Sequence, residues 1–308
     1  MRTPLAFVFV VLAAACGESR VRAAASPADS ARTTAASSAP GEVVVDDFGD
    51  TTRIDRAAQR IVSLNPSTTE ILFALGAGDR VVGRTHWDLY PDAARLVPDL
   101  GDGLRPNVEA VLAARPDLVL LYASNDNRPA ARALRAAGIV TVAIKADRIS
   151  EFASTVTTLG RLTGRTEAAR TLVDSVTRTL DAVRAATAPF ARPTVFWPLW
   201  DEPLYAVAGG SFMNDLLEIA GGRNIFAALP QPSPEVSAED VLRRDPNVII
   251  VGPRSAERYR TDARWRSLDA VRKGRVLVFD TAVVARPGVR LGEAAVSLAR
   301  LLHPTRYR

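Results

Sequence analysis

Apolar and polar positions recur along this chain on two scales, a short one that sets the elements and a long one that sets the architecture. On the long scale one phrase occurs twice, 130 residues apart: Glu109-Ala-Val-Leu-Ala-Ala-Arg-Pro116-Asp-Leu-Val-Leu-Leu121 and Glu239-Asp-Val-Leu-Arg-Arg-Asp-Pro246-Asn-Val-Ile-Ile-Val251. Each copy puts an acid, an apolar pair, a Pro-Asp or Pro-Asn turn and an apolar run at the same offsets, which predicts a short helix feeding a buried strand. Pro116 and Pro246 cannot continue a helix and bias the residue before them toward an extended conformation, so a turn is expected at both places. A duplicated helix-turn-strand unit implies two similar α/β lobes. The cleft between such lobes is the expected ligand site, and each copy carries one acid, Glu109 or Glu239, at the start of its helix.

The short scale fills in the rest. Val43 to Asp46 and Thr51 to Ile54 flank Asp47-Phe48-Gly49-Asp50, a hairpin with glycine in the turn, expected to pack on the first lobe. Arg60 to Leu64 is a buried strand broken by Asn65-Pro66, and Ser67-Thr68-Thr69-Glu70 has the spacing of a capping box, opening a helix that stops at Gly76. Asp79 to Gly83 begins the next strand. Gly76-Ala77-Gly78 follows a helix and precedes a strand, the reverse of a dinucleotide-binding loop, so these glycines end the helix instead. Strand, helix and strand are expected over 118–122, 128–137 and 140–144. From Ile149 to Thr187 there is no proline, and apolar residues from Phe152 to Val183 recur at helical intervals. This is one long helix or two broken near Gly164, a stiff strut that resists hinge motion.

The second lobe opens at Pro193 to Pro198. A helix over Ser211 to Gly222 echoes the one at Ser67, and a strand at Val276 to Phe279 and a helix from Gly292 to Leu302 follow the second copy of the phrase. The fold class is therefore α/β, two Rossmann-like lobes with parallel sheets joined by one long backbone helix. The N-terminal lobe spans 42–148, the connecting helix 149–188 and the C-terminal lobe 189–308.

The chain start changes the picture by giving an address. Arg2 precedes an apolar and small run from Leu5 to Ala15, eleven residues and too short to span a bilayer, and then comes Cys16, the only cysteine. Leu12-Ala13-Ala14-Ala15-Cys16-Gly17 resembles a bacterial lipoprotein box, with Ala13 where such boxes favour Leu. Residues 1–15 are then a lipoprotein signal peptide and Cys16 the lipid attachment site; the alternative is ordinary secretion with a stray thiol. Residues 16–41 are Ala, Ser, Thr and Pro with scattered charge, a disordered tether. The formal charge is +5 and the pI about 9.8. The arginines are scattered beside acids and only Lys145 and Lys273 are lysines, so no nucleic-acid surface is indicated. Two histidines, His86 and His303, are too few to hold a naked transition metal, and His303 before Pro304 is expected to end the last helix. No nucleophile elbow, paired metal-binding histidines or phosphate loop occurs, so no enzyme and no cofactor is expected.

Four further stretches carry a family resemblance: Arg60-Ile-Val-Ser-Leu-Asn-Pro-Ser-Thr-Thr-Glu70, Asn107-Val-Glu109 with Arg115-Pro-Asp-Leu-Val119, Glu218-Ile-Ala-Gly-Gly-Arg-Asn-Ile-Phe226, and Val236-Ser-Ala-Glu239. Over Val43 to His303 the chain resembles the periplasmic substrate-binding proteins of ABC importers for cobalamin, ferric siderophores and haem, whose two lobes are joined by a helical backbone, and it is most similar to the cobalamin branch. The resemblance implies a periplasmic or extracytoplasmic monomer, anchored to the membrane through lipid alone. Its ligand would be a corrinoid, with a ferric siderophore or haem as the alternative. It implies that Glu109 and Glu239 dock onto arginines of an ABC permease; both also suit a helix N-terminus. It implies a cleft lined by His86, Trp87 and Tyr122 from the first lobe and Trp200, Tyr205 and Arg286 from the second, with Arg286 available to an anionic ligand group. Each aromatic also suits a core or rim position. Gly103 and Ser233 stand where the cobalamin branch favours tryptophan. An exported sensor or scavenger would share this fold and site, and neighbouring permease and ATPase genes would tell it apart.

Overall fold

The computed structural model describes residues 42–307. The signal peptide, Cys16 and tether expected over residues 1–41 lie outside the described residues. Strands β1 (Glu42–Val45) and β2 (Thr51–Ile54) form the expected antiparallel hairpin, with Gly49 at φ 83° in its turn. It is tied to the first lobe through Asp46, whose carboxylate accepts from the Ala143 N–H at 3.1 Å and pairs with Arg135 at 2.7 Å.

The first lobe runs β3 (Ile61–Leu64), α1 (Pro66–Ala74), β4 (Val81–Gly83), α2 (Val108–Ala113), β5 (Leu118–Tyr122), α3 (Arg128–Ala136) and β6 (Val140–Ile144). Its sheet has the order β4-β3-β5-β6, every pair parallel. Then come α4 (Phe152–Thr163) and α5 (Thr166–Thr187). The second lobe runs β7 (Thr194–Phe196), β8 (Pro198–Asp201), β9 (Leu204–Ala206), α6 (Phe212–Ile219), β10 (Arg223–Asn224), α7 (Ala238–Arg244), β11 (Val248–Val251), α8 (Ala256–Thr261), α9 (Asp269–Arg272), β12 (Val276–Val278) and α10 (Leu291–Leu302). Strands β8 and β9 pair with each other, and the main sheet has the order β10-β7-β11-β12, again all parallel. Both sheets thus place their second strand outside the first, then the third and fourth, so the duplicated phrase marks a duplicated topology.

Successive residues of a strand point to opposite faces, and here both faces are covered. Leu118 and Leu120 of β5 join a core with helices α1, α4 and α5, while Val119 and Leu121 meet Val111 and Leu134 on the other side. Val248 and Ile250 of β11 join that first core and Ile249 and Val251 a second one with Phe196 and Trp265. Continuous apolar runs are what such doubly covered parallel strands require.

One open choice is decided and two local expectations change. The stretch 149–188 is two helices, broken where Gly164 adopts a left-handed conformation at φ 66°. Helix α4 packs on α1, so α5 alone joins the lobes, through Ala169 against Gly160 at one end and Val176, Leu180 and Val183 against α10 at the other. Its 22 residues span about 33 Å at 1.5 Å per residue. The first helix is not capped by Ser67. Asn65 accepts from the Ser67 N–H at 3.1 Å, and Pro66 opens the helix, where its missing N–H costs nothing. The residues before the two prolines are not extended: Arg115 has φ 48° and Asp245 φ 39°. Proline disfavours only the right-handed α region for its predecessor, and a left-handed residue also reverses the chain at a helix end. Asp117 and Asn247, just after the prolines, then tie each turn to the first strand of their sheet, accepting from the N–H groups of Arg60 and Thr194 at 2.9 and 3.0 Å.

Candidate functional site

In a parallel α/β sheet the strands end in loops on one side, and ligands bind outside those carboxyl ends. Here the ends of both sheets border one cleft of about 580 Å³. Asn65 and Ser67 follow β3, Tyr122 ends β5, and Lys145, Asp147 and Arg148 follow β6; Ser211, Phe212 and Arg286 face them from the second lobe. A further compartment of about 420 Å³ lies within the second lobe and shares Phe212 and Ala285 with the cleft. It is lined by Leu199, Met213, Val251 and Val284, with Asp201 and Arg254 as its charged groups. Arg254 is exposed and has no ion-pair partner among the described residues. Another cavity, of about 460 Å³, lies at the amino ends of the second sheet. Its Arg192 is spent on the carbonyls of Gly222 and Glu218 at the end of α6, so it serves as a helix cap there.

The cleft wall is held by hydrogen bonds that sequence reading did not assign. Tyr122 donates its hydroxyl to both oxygens of Asp147, at 2.8 and 2.9 Å. Burial, then the Asp147 carboxylate, push the phenol well above its ordinary range, so it stays protonated at any physiological pH. Glu151 accepts from the N–H groups of Asp147 and Arg148 at 2.7 and 2.9 Å, fixing the loop that carries both. Arg148 crosses the cleft: it donates to the Gly209 carbonyl at 2.9 Å and pairs with Asp215 at 2.6 Å. Burial raises the Asp215 carboxyl and Arg148 opposes that rise.

Arg286 lines the cleft, but its guanidinium is engaged by the first lobe. It donates to Glu70 Oε1 at 3.3 Å and to the Trp87 carbonyl at 3.2 Å. Glu70 is therefore not accounted for by a helix start; it is a buried carboxylate turned toward the other lobe. His86 and Trp87 stand beside that wall, exposed and 4.6 Å apart between ring centroids, and are not among the residues that line the cleft. Trp200 and Tyr205 are cross-strand partners on the β8–β9 hairpin. Leu199 and Asp201 line the second-lobe compartment, and strand alternation turns Trp200, 65% exposed, to the opposite face. Of the expected cleft residues, the structure brings together Tyr122 and Arg286.

Phe212, Ser211, Lys145, Arg148 and Arg254 escaped the sequence reading. A usable signal existed for two of them: the Ser211 helix echoes the Ser67 helix, and both begin at the cleft.

Glu109 and Glu239 are the second residues of α2 and α7, behind the caps Asn107 and Ser237, which accept from Ala110 and Asp240 N–H groups at 3.1 and 3.0 Å. Both side chains are exposed, and neither has an ion-pair partner among the described residues. Each helix runs back against its sheet, so both acids sit on the side where the strands end and the cleft opens. His303 does end α10, buried against Phe190, and burial lowers its imidazole below the ordinary range. Among the described residues no group of three or more His, Cys, Asp or Glu is placed to hold a metal ion, and no helix is long and apolar enough to cross a membrane.

Residues 61–283 match the family described as periplasmic binding protein. A curated relative named vitamin B12-binding protein, from Yersinia pestis (strain Pestoides F), is 31% identical over 211 residues, 68% of this chain and 75% of the relative. Two solved structures are similar throughout. One is a possible iron-binding periplasmic solute-binding protein from Staphylococcus epidermidis, 28% identical with a TM-score of 0.70, covering 80% of this chain and 100% of its own. The other is the periplasmic vitamin B12-binding protein of Vibrio cholerae, 25% identical with a TM-score of 0.71, covering 82% and 99%.

Proposed function

The chain belongs to the periplasmic binding protein family, and on that premise we propose that it is a lipid-anchored monomer that captures a corrinoid between its lobes and delivers it to the permease of an ABC importer. The observation that carries the ligand is the 31% identity, over two thirds of the chain, to a protein named for vitamin B12 binding. The cleft supports it. Tyr122 and Phe212 offer aromatic surface from opposite lobes, suited to a broad, largely apolar macrocycle, and the adjoining compartment has room for an appended group.

A ferric siderophore is the second reading, favoured by Arg254 on the compartment wall, which has no ion-pair partner among the described residues and matches an acidic chelate. Titration of the protein with cyanocobalamin, haem and a panel of ferric siderophores, followed by indole fluorescence, decides between them. Saturable quenching by a corrinoid is expected. Tight siderophore binding without any corrinoid response would move the assignment to the second reading, and silence across the panel would overturn the receptor role of this cleft.

Anchoring rests on the single thiol and the small-residue run before it. Cys16→Ser is expected to release the protein from membranes or stall its processing while leaving ligand binding intact. Fractionation with membranes as complete as the parent's, with identical processing, would refute the lipid anchor.

A further inference from the structure

On one flank of the cleft the lobes meet through a buried charge cluster. Glu70 of α1 has a side chain only 1% exposed, yet it faces two cations of the other lobe, Arg286 at 3.3 Å and Arg290 at 3.8 Å. The backbone N–H of Val289 also points at it. Gly288 is what allows this approach, because a Cβ there would strike Glu70 Oε2. Around the pair the two lobes touch three more times. Ser67 donates to the Pro287 carbonyl at 3.3 Å, Arg286 to the Trp87 carbonyl at 3.2 Å, and the Arg290 guanidinium lies 4.2 Å from the centre of the Tyr90 ring. Asp88, fully buried beside Glu70, brings the cluster to two carboxylates against two guanidinium groups. On the opposite flank Arg148 crosses to Asp215, and that pair is 36% and 25% exposed, so water screens it.

We infer that Glu70 is a positioning residue of the binding site: with Arg286 and Arg290 it fastens the two lobes at one opening, so that the cleft has its width before a ligand enters. Two consequences follow from the geometry. Arg286 is committed to the other lobe and is not a free counter-charge for the ligand. Opening the cleft to release its contents must separate a buried carboxylate from two guanidinium groups of the other lobe, a set of contacts that α5 alone does not supply. Burial by itself drives the Glu70 carboxyl upward, and the arginines oppose that, which makes the charged latch dependent on the lobes staying together.

The test uses the full chain carrying Cys16→Ser, with nitroxide labels on introduced cysteines at Asp126 and Glu257, exposed sites on different lobes, and a control pair at Arg53 and Asp126 within the first. Without ligand, the parent is expected to give one narrow interlobe distance distribution. Glu70→Gln, and independently the milder Arg290→Gln, should broaden that distribution and leave the control pair narrow. Resting on the proposed ligand, release of the quenching corrinoid should also accelerate about tenfold. Interlobe distributions that superimpose on the parent's in folded variants overturn the inference, and if Glu70→Gln fails to fold, Arg290→Gln decides alone. A parent that no ligand quenches would count against the proposed ligand, while the distance measurement still judges the latch.

Discussion

Glu109→Lys combined with Glu239→Lys is expected to abolish ligand uptake by cells while changing the affinity of the isolated protein by no more than about twofold, or roughly 0.4 kcal/mol. The two acids occupy the same place in equivalent helices of equivalent sheets, are exposed, and have no ion-pair partner among the described residues. A structural role would be confined to the helix N-terminus, about 0.3 to 1 kcal/mol each, and the caps Asn107 and Ser237 remain in the variant. The fold should therefore survive. What the substitution changes is the field that the protein presents on the side where the cleft opens. Charge pairs at such a surface set registration and encounter rate, and two reversals set like charge against like across any basic partner. Uptake of radiolabelled ligand by cells dependent on this protein measures the effect, with purified variant titrated in parallel. Each single reversal should give an intermediate loss that worsens at low salt, where screening is weakest. Normal uptake by the double variant would remove the docking role from both residues.

The repeated phrase made the architecture legible because its signals are local: a capped helix, a proline turn and an apolar run lie within the fifteen residues from Asn107 to Leu121 and again from Ser237 to Val251. The burial pattern confirms it, with Glu109 and Glu239 exposed, Val111 and Val241 buried, and the runs after Pro116 and Pro246 sealed on both faces. Backbone detail was less legible. Neighbour sterics alone predicted extended residues before the prolines, whereas ending the helix required left-handed ones. The break at Gly164 stood as one of two options, since periodicity continues across it and only the packing of α4 on α1 chooses.

At the site the limit was contact order. Glu70 and Arg286 are 216 residues apart, and Arg148 and Asp215 are 67 apart. No local pattern pairs them, and Glu70 at the third position after Ser67 imitates a capping box. On the second-lobe hairpin the obstacle was different. Whether Leu199 or Trp200 faces the compartment depends on a register that shifts between Pro198 and Trp200. A shift of one residue exchanges the faces of a strand, and composition favours the tryptophan whichever way it points.

That distinction yields the sharpest test of the cleft. Tyr122→Ala with Phe212→Ala is expected to weaken ligand binding by about fiftyfold or more, close to 2.3 kcal/mol, whereas Trp200→Ala with Tyr205→Ala should stay within about twofold. Tyr122 and Phe212 line the cleft from opposite lobes, and Phe212 also belongs to the second-lobe compartment, so a ligand spanning both spaces must pass against its ring. Removing two aromatic faces loses buried apolar contact on both sides of a flat ligand at once, an effect of the proposed size. Trp200 and Tyr205 lie on the other face of their hairpin, where the indole N–H is already satisfied by the Glu202 carbonyl at 3.1 Å. Tyr122→Phe separates ring from hydroxyl: it keeps the aromatic face, frees Asp147, and should retain affinity within a few-fold if stacking is what Tyr122 supplies. Helix α6 keeps its Ser211 cap in every variant, so circular dichroism should report intact folds. Isothermal titration with the ligand identified by the panel gives the affinities. A larger loss from the Trp200 and Tyr205 pair than from Tyr122 and Phe212 would place the ligand on the outer face of the hairpin and empty the cleft of its assigned role.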